Sequence, residues 1–326
     1  MPSLTKRFSF KKRRNGPGAA NEEGNGDGGT SNNLTDEEII PGPPAEGDMP
    51  TFFHIGSLAK QCLISGYKIG TWHIDCTTKV KDKVTLFSYG SGKPNFDNVW
   101  GGVGMRQKWG IWDLFQVWQT DNIMGAVGGQ SKLVGGTANA MLWAIYNPHD
   151  GSGVKLQVYS GYERSPIKFD LIIPVLNVPR LMGYALLHIA KNWLLAFRMD
   201  YDIAERAIQK HAICGGYYNG STELGLKFED FKDWRGSIFQ RLGKRWAVAF
   251  KADLYTEEPR QYAVGGQYQI NDNSLLKATV RDNGFLGLVY QLNLTENIGI
   301  TYHVGLELKD PIKGEHRVGI SCSLRA

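Results

Sequence analysis

No stretch of this 326-residue chain reaches the roughly 18 uninterrupted apolar residues that a bilayer-spanning helix needs, which excludes helical membrane topology. Catalytic signatures are missing too. The dinucleotide fingerprint, the phosphate-binding loop, the zinc-protease motif, the nucleophile elbow and the CxxC pair are all absent. The glycines of Trp100-Gly101-Gly102-Val103-Gly104 lie in a strand-like setting with no helix after them. Seven histidines are dispersed, and Glu257-Glu258 beside Pro259 fit a solvated turn better than an acid–base pair. An enzyme reading has no anchor, and neither a cofactor nor a metal is expected. The four cysteines, Cys62, Cys76, Cys214 and Cys322, are scattered without metal-ligand spacing and read as free thiols of a reducing compartment. Charge and glycine follow Met1 to Phe10 where a secretory signal would carry an apolar region, so the Asn-x-Ser/Thr sites at Asn33, Asn219 and Asn293 are expected to be unused.

What is present is unevenly placed. Residues 1–20 carry six basic side chains, Lys6 to Arg14, and no acid, whereas residues 21–50 carry eight acids and no base. The segment from Asn15 to Pro50 is Gly, Asn, Pro and acid, too poor in large apolar residues to offset the entropy of ordering. Residues 1–50 are therefore expected to form a disordered extension, basic then acidic, ahead of one folded unit over 51–326. The basic cluster has several readings: a solvated charge run, an address, or contact with nucleic acid or an anionic membrane surface. The first is the commonest, and no nucleic-acid partner is expected.

From Phe52 the apolar residues Phe52, Ile55, Leu58, Ala59, Cys62 and Leu63 recur at helical spacing, with Gly66 and Gly70 as breakers, which predicts an amphipathic helix over 52–65. Beyond Gly70 the period becomes two. Trp246, Val248, Phe250, Ala252 and Leu254 alternate with Ala247, Ala249, Lys251 and Asp253; Ile298, Ile300, Tyr302, Val304, Leu306 and Leu308 alternate with polar or small residues. Strands about ten residues long suit tilted membrane strands better than a soluble sandwich. Their two faces average out, so a mean hydropathy of −0.31 does not argue against them. Turn signals separate the runs at 147–151, 164–166 and 281–284. About 255 residues at about 13 per strand and turn give on the order of 19 or 20 strands, an all-β transmembrane barrel wide enough to hold an aqueous lumen.

Three segments in constant order resemble the eukaryotic mitochondrial porins, the voltage-dependent anion channel family: Phe53 to Gly70, ending Gly66-Tyr67-Lys68-Ile69-Gly70; Trp118-Gln119-Thr120-Asp121-Asn122; and Tyr268-Gln269-Ile270-Asn271 through Lys277-Ala278-Thr279-Val280 to Tyr290. The resemblance runs from Pro50 to the C-terminus. It implies a 19-stranded barrel of the mitochondrial outer membrane with the helix in the pore, passing inorganic ions, nucleotides and small metabolites, surrounded by membrane lipid. Voltage gating and a homo-oligomer are left open by it. It places possible nucleotide contacts at Phe285, Leu286 and Gly287 and at His303, Val304, Gly305, Leu306 and Glu307. It reads Arg317, Gly319, Cys322 and Leu324 as the barrel-insertion signal, although an alternating last strand would show the same pattern.

The departures from the family carry expectations of their own. Ser57 and Ser65 stand where the family has pore lysines, leaving Lys60 to keep the helix basic, so anion preference should be weakened. Lys68 replaces a hinge glycine between Gly66 and Gly70, which should stiffen the link. Gln116 stands where many members carry a lipid-facing acid. Alternation predicts that Lys155, Arg198, Lys227, Lys251, Lys277, Arg281, Lys309 and Arg317 face inward against Asp200, Asp202, Glu229, Asp253 and Glu307. The alternatives to a channel are a porin-like barrel serving mainly docking or lipid contact with little conductance, and a soluble ligand-binding β protein.

Overall fold

The computed structural model describes residues 41, 44, 48–80, 83–96, 98–149, 151, 153–256 and 260–326. Nearly all of the expected disordered extension, and the turn at Glu257 to Pro259, lie outside the described residues. A short 3-10 turn, Phe52–His54, and helix α1, Ser57–Leu63, precede nineteen strands. In order these are β1 Trp72–Val80, β2 Val84–Gly92, β3 Trp100–Trp109, β4 Trp112–Gln119, β5 Ile123–Leu133, β6 Gly136–Tyr146 and β7 Val154–Arg164. Then come β8 Ile167–Leu176, β9 Arg180–Ala190, β10 Trp193–Asp202, β11 Ala207–Tyr218, β12 Thr222–Glu229 and β13 Asp233–Leu242. The last six are β14 Trp246–Leu254, β15 Gln261–Asn271, β16 Ser274–Arg281, β17 Phe285–Asn293, β18 Ile298–Glu307 and β19 Arg317–Arg325.

Each strand pairs antiparallel with the next, and β1 closes on β19. In an up-and-down sheet with an odd number of strands the first and last run the same way, so the closing pair is parallel, from Trp72↔Ile320 to Thr77↔Arg325. The C-terminal residue completes this seam: Ala326 N donates to Thr77 O at 2.9 Å and Lys79 N donates to Ala326 O at 2.9 Å. No sheet edge is left.

Alternation becomes two surfaces. On β14 the side chains of Trp246, Val248, Phe250 and Leu254 are exposed, while Ala247, Ala249, Lys251 and Asp253 between them are buried. The same inversion holds on β10, where Leu195 and Phe197 are exposed and Arg198, Asp200 and Asp202 are buried. Large apolar groups outside and charges inside is the reverse of a water-soluble domain and fits an outer wall in lipid around a wet lumen. Exposed aromatics gather where the strands end, with Trp109, Trp112, Trp193 and Trp246 at one rim and Trp118, Tyr146, Trp234 and Tyr262 at the other. Amphipathic rings concentrate at membrane–water interfaces, so these belts mark the two headgroup levels.

The helix expected over 52–65 is shorter and interrupted. Gly56, at φ 75°, separates the 3-10 turn from α1. Its backbone passes so near β13 that an added Cβ would lie 2.7 Å from Ser237 Oγ. A left-handed residue without a side chain is what this corner requires.

The two-surface arrangement predicts that Phe250→Arg, which points into lipid, destabilises the barrel by about 2–4 kcal/mol in denaturant unfolding from bilayers. Thr301→Arg, on the inner face opposite Gln291 and Ser321, should cost under about 1 kcal/mol.

Candidate functional site

The lumen is the site. Residues Met49 to Thr71 cross its wall from β7 round to β19 before the chain enters β1. At the start, Met49 N donates to Glu163 Oε1 at 2.7 Å and Lys168 Nζ donates to Met49 O at 2.9 Å; Lys168 and Glu163 are themselves 3.0 Å apart and buried. Phe52 and Phe53 then pack on Tyr184, with ring centroids 5.5 and 5.3 Å away, beside Leu186, Ala196, Ala212 and Cys214. The apolar face of α1, Ala59, Cys62 and Leu63, packs on Phe239, Ala247, Ala249 and Ala263. This is how an amphipathic helix lies inside a polar lumen: its stripe covers an apolar patch of the inner wall.

The wall is carved to receive the segment. Gly216 and Gly225, a register pair, lie under Ile55 and Gly56; Gly265 lies under Leu63; the paired Gly287 and Gly305 lie under Tyr67 and Ile69. At Gly319 an added Cβ would sit 2.2 Å from Lys68 O and 2.7 Å from Thr71 O, so only glycine lets the linker cross β19. Tyr67 Oη donates to Cys62 O at 3.2 Å, and Lys68 N donates to His303 Nδ1 at 3.3 Å, with His303 Nε2 and Ser321 Oγ 2.8 Å apart.

Both ends of α1 meet wall charges. Leu58 N donates to Glu223 Oε2 of β12 at 2.7 Å, which sets this carboxylate at the first turn of the helix. At the other end Lys277 Nζ of β16 donates to Gln61 O at 2.9 Å and to Ser65 O at 3.5 Å. Elsewhere inner-face charges pair two residues apart along a strand or with the neighbouring strand. Arg198 Nε donates to Asp200 Oδ1 at 2.8 Å, Lys251 Nζ to Asp253 Oδ2 at 2.6 Å, and Glu229 is shared by Lys227 and Arg235.

The positions expected from sequence divide. Among the family's nucleotide-contact positions, Leu286, Val304 and Leu306 share the outer face with Leu288 and Tyr302, turned to lipid. Gly287, Gly305 and His303 face inward but lie beneath the linker, which leaves Phe285 and Glu307 near the rim. Ser57 is buried at 6% exposure, turned to the wall near Glu223, whereas Ser65 and Lys60 are half-buried. Gly66 and Gly70 both have positive φ, 93° and 73°, flanking Lys68. In β19, Arg317 and Gly319 face inward while Cys322 and Leu324 face lipid. Gln116 shares the lipid face with Leu114 and Trp118, opposite in parity to the buried Asp113 and Val117. An amide there avoids the cost of a carboxylate in the bilayer. Sequence reading passed over Glu223, Glu163 and Lys168. Parity alone places them on the inner face, but their backbone partners lie more than a hundred residues away.

A family model described as eukaryotic porin matches residues 48–319, from the latch at Met49 to the glycine under the linker. The chain belongs to the eukaryotic porin family. It is a divergent porin. The "Voltage-dependent anion-selective channel" of Drosophila melanogaster is 25% identical over 287 residues, 85% of this chain and 99% of the relative. "Non-selective voltage-gated ion channel VDAC1" of Homo sapiens is 23% identical with the same coverage. Among solved structures, a mutant of the Rh. blastica porin covers 74% of this chain and 98% of its own at 9% identity and a TM-score of 0.47, a likeness that adds nothing to the strand order above. An enzyme reading has no place in this family.

Burial pushes the thiol of Cys62, on the wall-facing side of the helix of this porin, up to about 11. With the other three cysteines replaced, Cys62 should resist maleimide at pH 8, where little thiolate exists, and react only as pH approaches that value. Gly287→Leu, whose side chain would enter the ring of Tyr67, should lift the linker and speed labelling at pH 8 by about tenfold or more, read by mass shift over time. Equal rates in both proteins would show that the segment does not depend on the carved wall.

Proposed function

We propose that this porin is a diffusion channel of the mitochondrial outer membrane, passing inorganic ions, nucleotides and small hydrophilic metabolites with a weak anion preference and a voltage dependence set by its pore helix. The observation that carries this reading is the inverted side-chain distribution of a closed nineteen-stranded sheet, with apolar groups outside and charges inside. A barrel of that width cannot be filled by its own side chains, and the described N-terminal segment runs against the wall from β7 to β19. The names borne by the relatives, which span nearly their whole length in the match, point the same way.

Weak selectivity has two supports. Many inner-wall cations sit beside acids of the same or a neighbouring strand, as in Arg198/Asp200, Lys251/Asp253 and Arg106/Asp113, so their fields cancel over short distances. The helix contributes Lys60, with Ser57, Gln61 and Ser65 uncharged around it. Charge at the narrowest part of a low-dielectric pore counts most for selectivity.

Liposomes holding the reconstituted protein should release sugars and nucleotides, and reversal potentials in a salt gradient should lie close to zero on the anion side. Ser65→Lys, at a half-buried position of the segment, should raise the anion-to-cation permeability ratio on the order of twofold. Liposomes that stay sealed would sink the channel and favour a docking or lipid-contact barrel. Strong anion preference that Ser65→Lys leaves unchanged would remove the helix from selectivity.

A further inference from the structure

A seven-residue helix leaves most of its backbone donors at one end and acceptors at the other without intrahelical partners. In this lumen those groups converge on two wall side chains of opposite sign. Glu223 takes the N–H of Leu58 in the first turn, and Lys277 takes the carbonyl of Gln61 in the last turn and that of Ser65 just beyond it. The match follows the helix dipole, positive at the N-terminus and negative at the C-terminus. A second observation sets this pair apart from the paired charges of β10, β12 and β14. Arg198, Lys227 and Lys251 have carboxylate partners two residues away, whereas among the described residues neither Glu223 nor Lys277 makes an ion pair. Glu223 is 6% exposed, so its charge is balanced by helix backbone or by nothing.

We propose that Glu223 and Lys277 are positioning residues that grip the pore helix by the two ends of its dipole, so that this clamp on the wall, rather than charges on the helix, decides whether the helix can leave it. The proposal deepens the channel reading above and rests on it only for its electrical consequence. Because the helix itself carries Lys60 and no acid, an applied voltage has little charge on it to act upon, and release requires loss of the clamp. The grip also explains the buried place of Ser57: the first turn is drawn onto the wall by the carboxylate it bonds. Packing on Phe239, Ala247 and Ala249 fixes which face of α1 lies down, and the charges fix its direction and position along the wall.

The test uses the full chain refolded into lipid, with two readouts. In hydrogen exchange, Glu223→Gln and Lys277→Met should each speed exchange of the Leu58 to Ile64 amides roughly 10- to 100-fold, as expected for losing charge-assisted bonds that hold a local unit. Lys277→Arg, which keeps the cation, should leave exchange near wild type. In planar bilayers the two clamp variants should close at lower voltage than wild type. The exchanged pair Glu223→Lys with Lys277→Glu is the sharpest variant, because an ordinary ion pair survives exchange whereas a helix dipole cannot be turned round. It should exchange at least as fast as either single variant. Unchanged exchange in both singles, or wild-type protection in the exchanged pair, would overturn the clamp. Absence of conductance in every form would count against the channel reading alone, and amide exchange would still decide the clamp.

Discussion

Every peptide group that enters the hydrocarbon layer must find its partner within the protein, because lipid offers none. The rest of this structure depends on that constraint. It forces nineteen strands into a ring, and an odd ring joins its first and last strands in parallel, with Ala326 bonded to β1 as the last stitch. Closure fixes the pleat, and the pleat then assigns every second side chain to lipid and the others to the lumen. Phe250 and Lys251 are adjacent in sequence and lie in opposite solvents.

Closure also creates an inner surface with no competing core, onto which the chain lays its own N-terminal segment. The two are fitted by subtraction and by charge. Side chains are withdrawn from the wall where the backbone must pass, most sharply at Gly319, and charges remain where backbone groups would lack partners, at Glu163, Lys168, Glu223 and Lys277. Other inner charges pair along strands β10, β12 and β14 or between neighbouring strands, as Arg106 does with Asp113. Much of the inner face is therefore a mosaic of paired charges.

Much of the fold was legible in the residues. The alternations over 246–254 and 298–308 correspond to β14 and to Ile298–Glu307, and a count of 19 or 20 strands from strand and turn lengths came to nineteen. These features are local, repeating every two or thirteen residues. The helix at 52–65 was readable as an amphipathic stripe, but its break at Gly56 was not, because the cause is Ser237 on β13. The facing of Gln116 was likewise hidden, since Leu114, Phe115, Val117 and Trp118 are apolar on both parities; pairing with β3 and β5 resolves it. Glu223 looked like any acid on an inner face. Its partner is a backbone 165 residues earlier, a contact that only closure and the return of the chain through the lumen bring about. The surroundings of the family-inherited contact positions were hidden for a related reason: which inward residues reach the water depends on where the linker lies, and it covers His303 and Gly305.

The central claim is that a closed ring of nineteen strands, with its N-terminal segment held against the wall, encloses one open aqueous path. Single-channel recording of the purified full-length protein in planar bilayers tests this most directly. The account predicts large uniform conductance steps at low voltage that scale linearly with salt concentration, as for ions moving in water through a wide pore. Stable insertion with no conductance at any voltage, or small steps that saturate with salt as in a narrow binding pore, would contradict it.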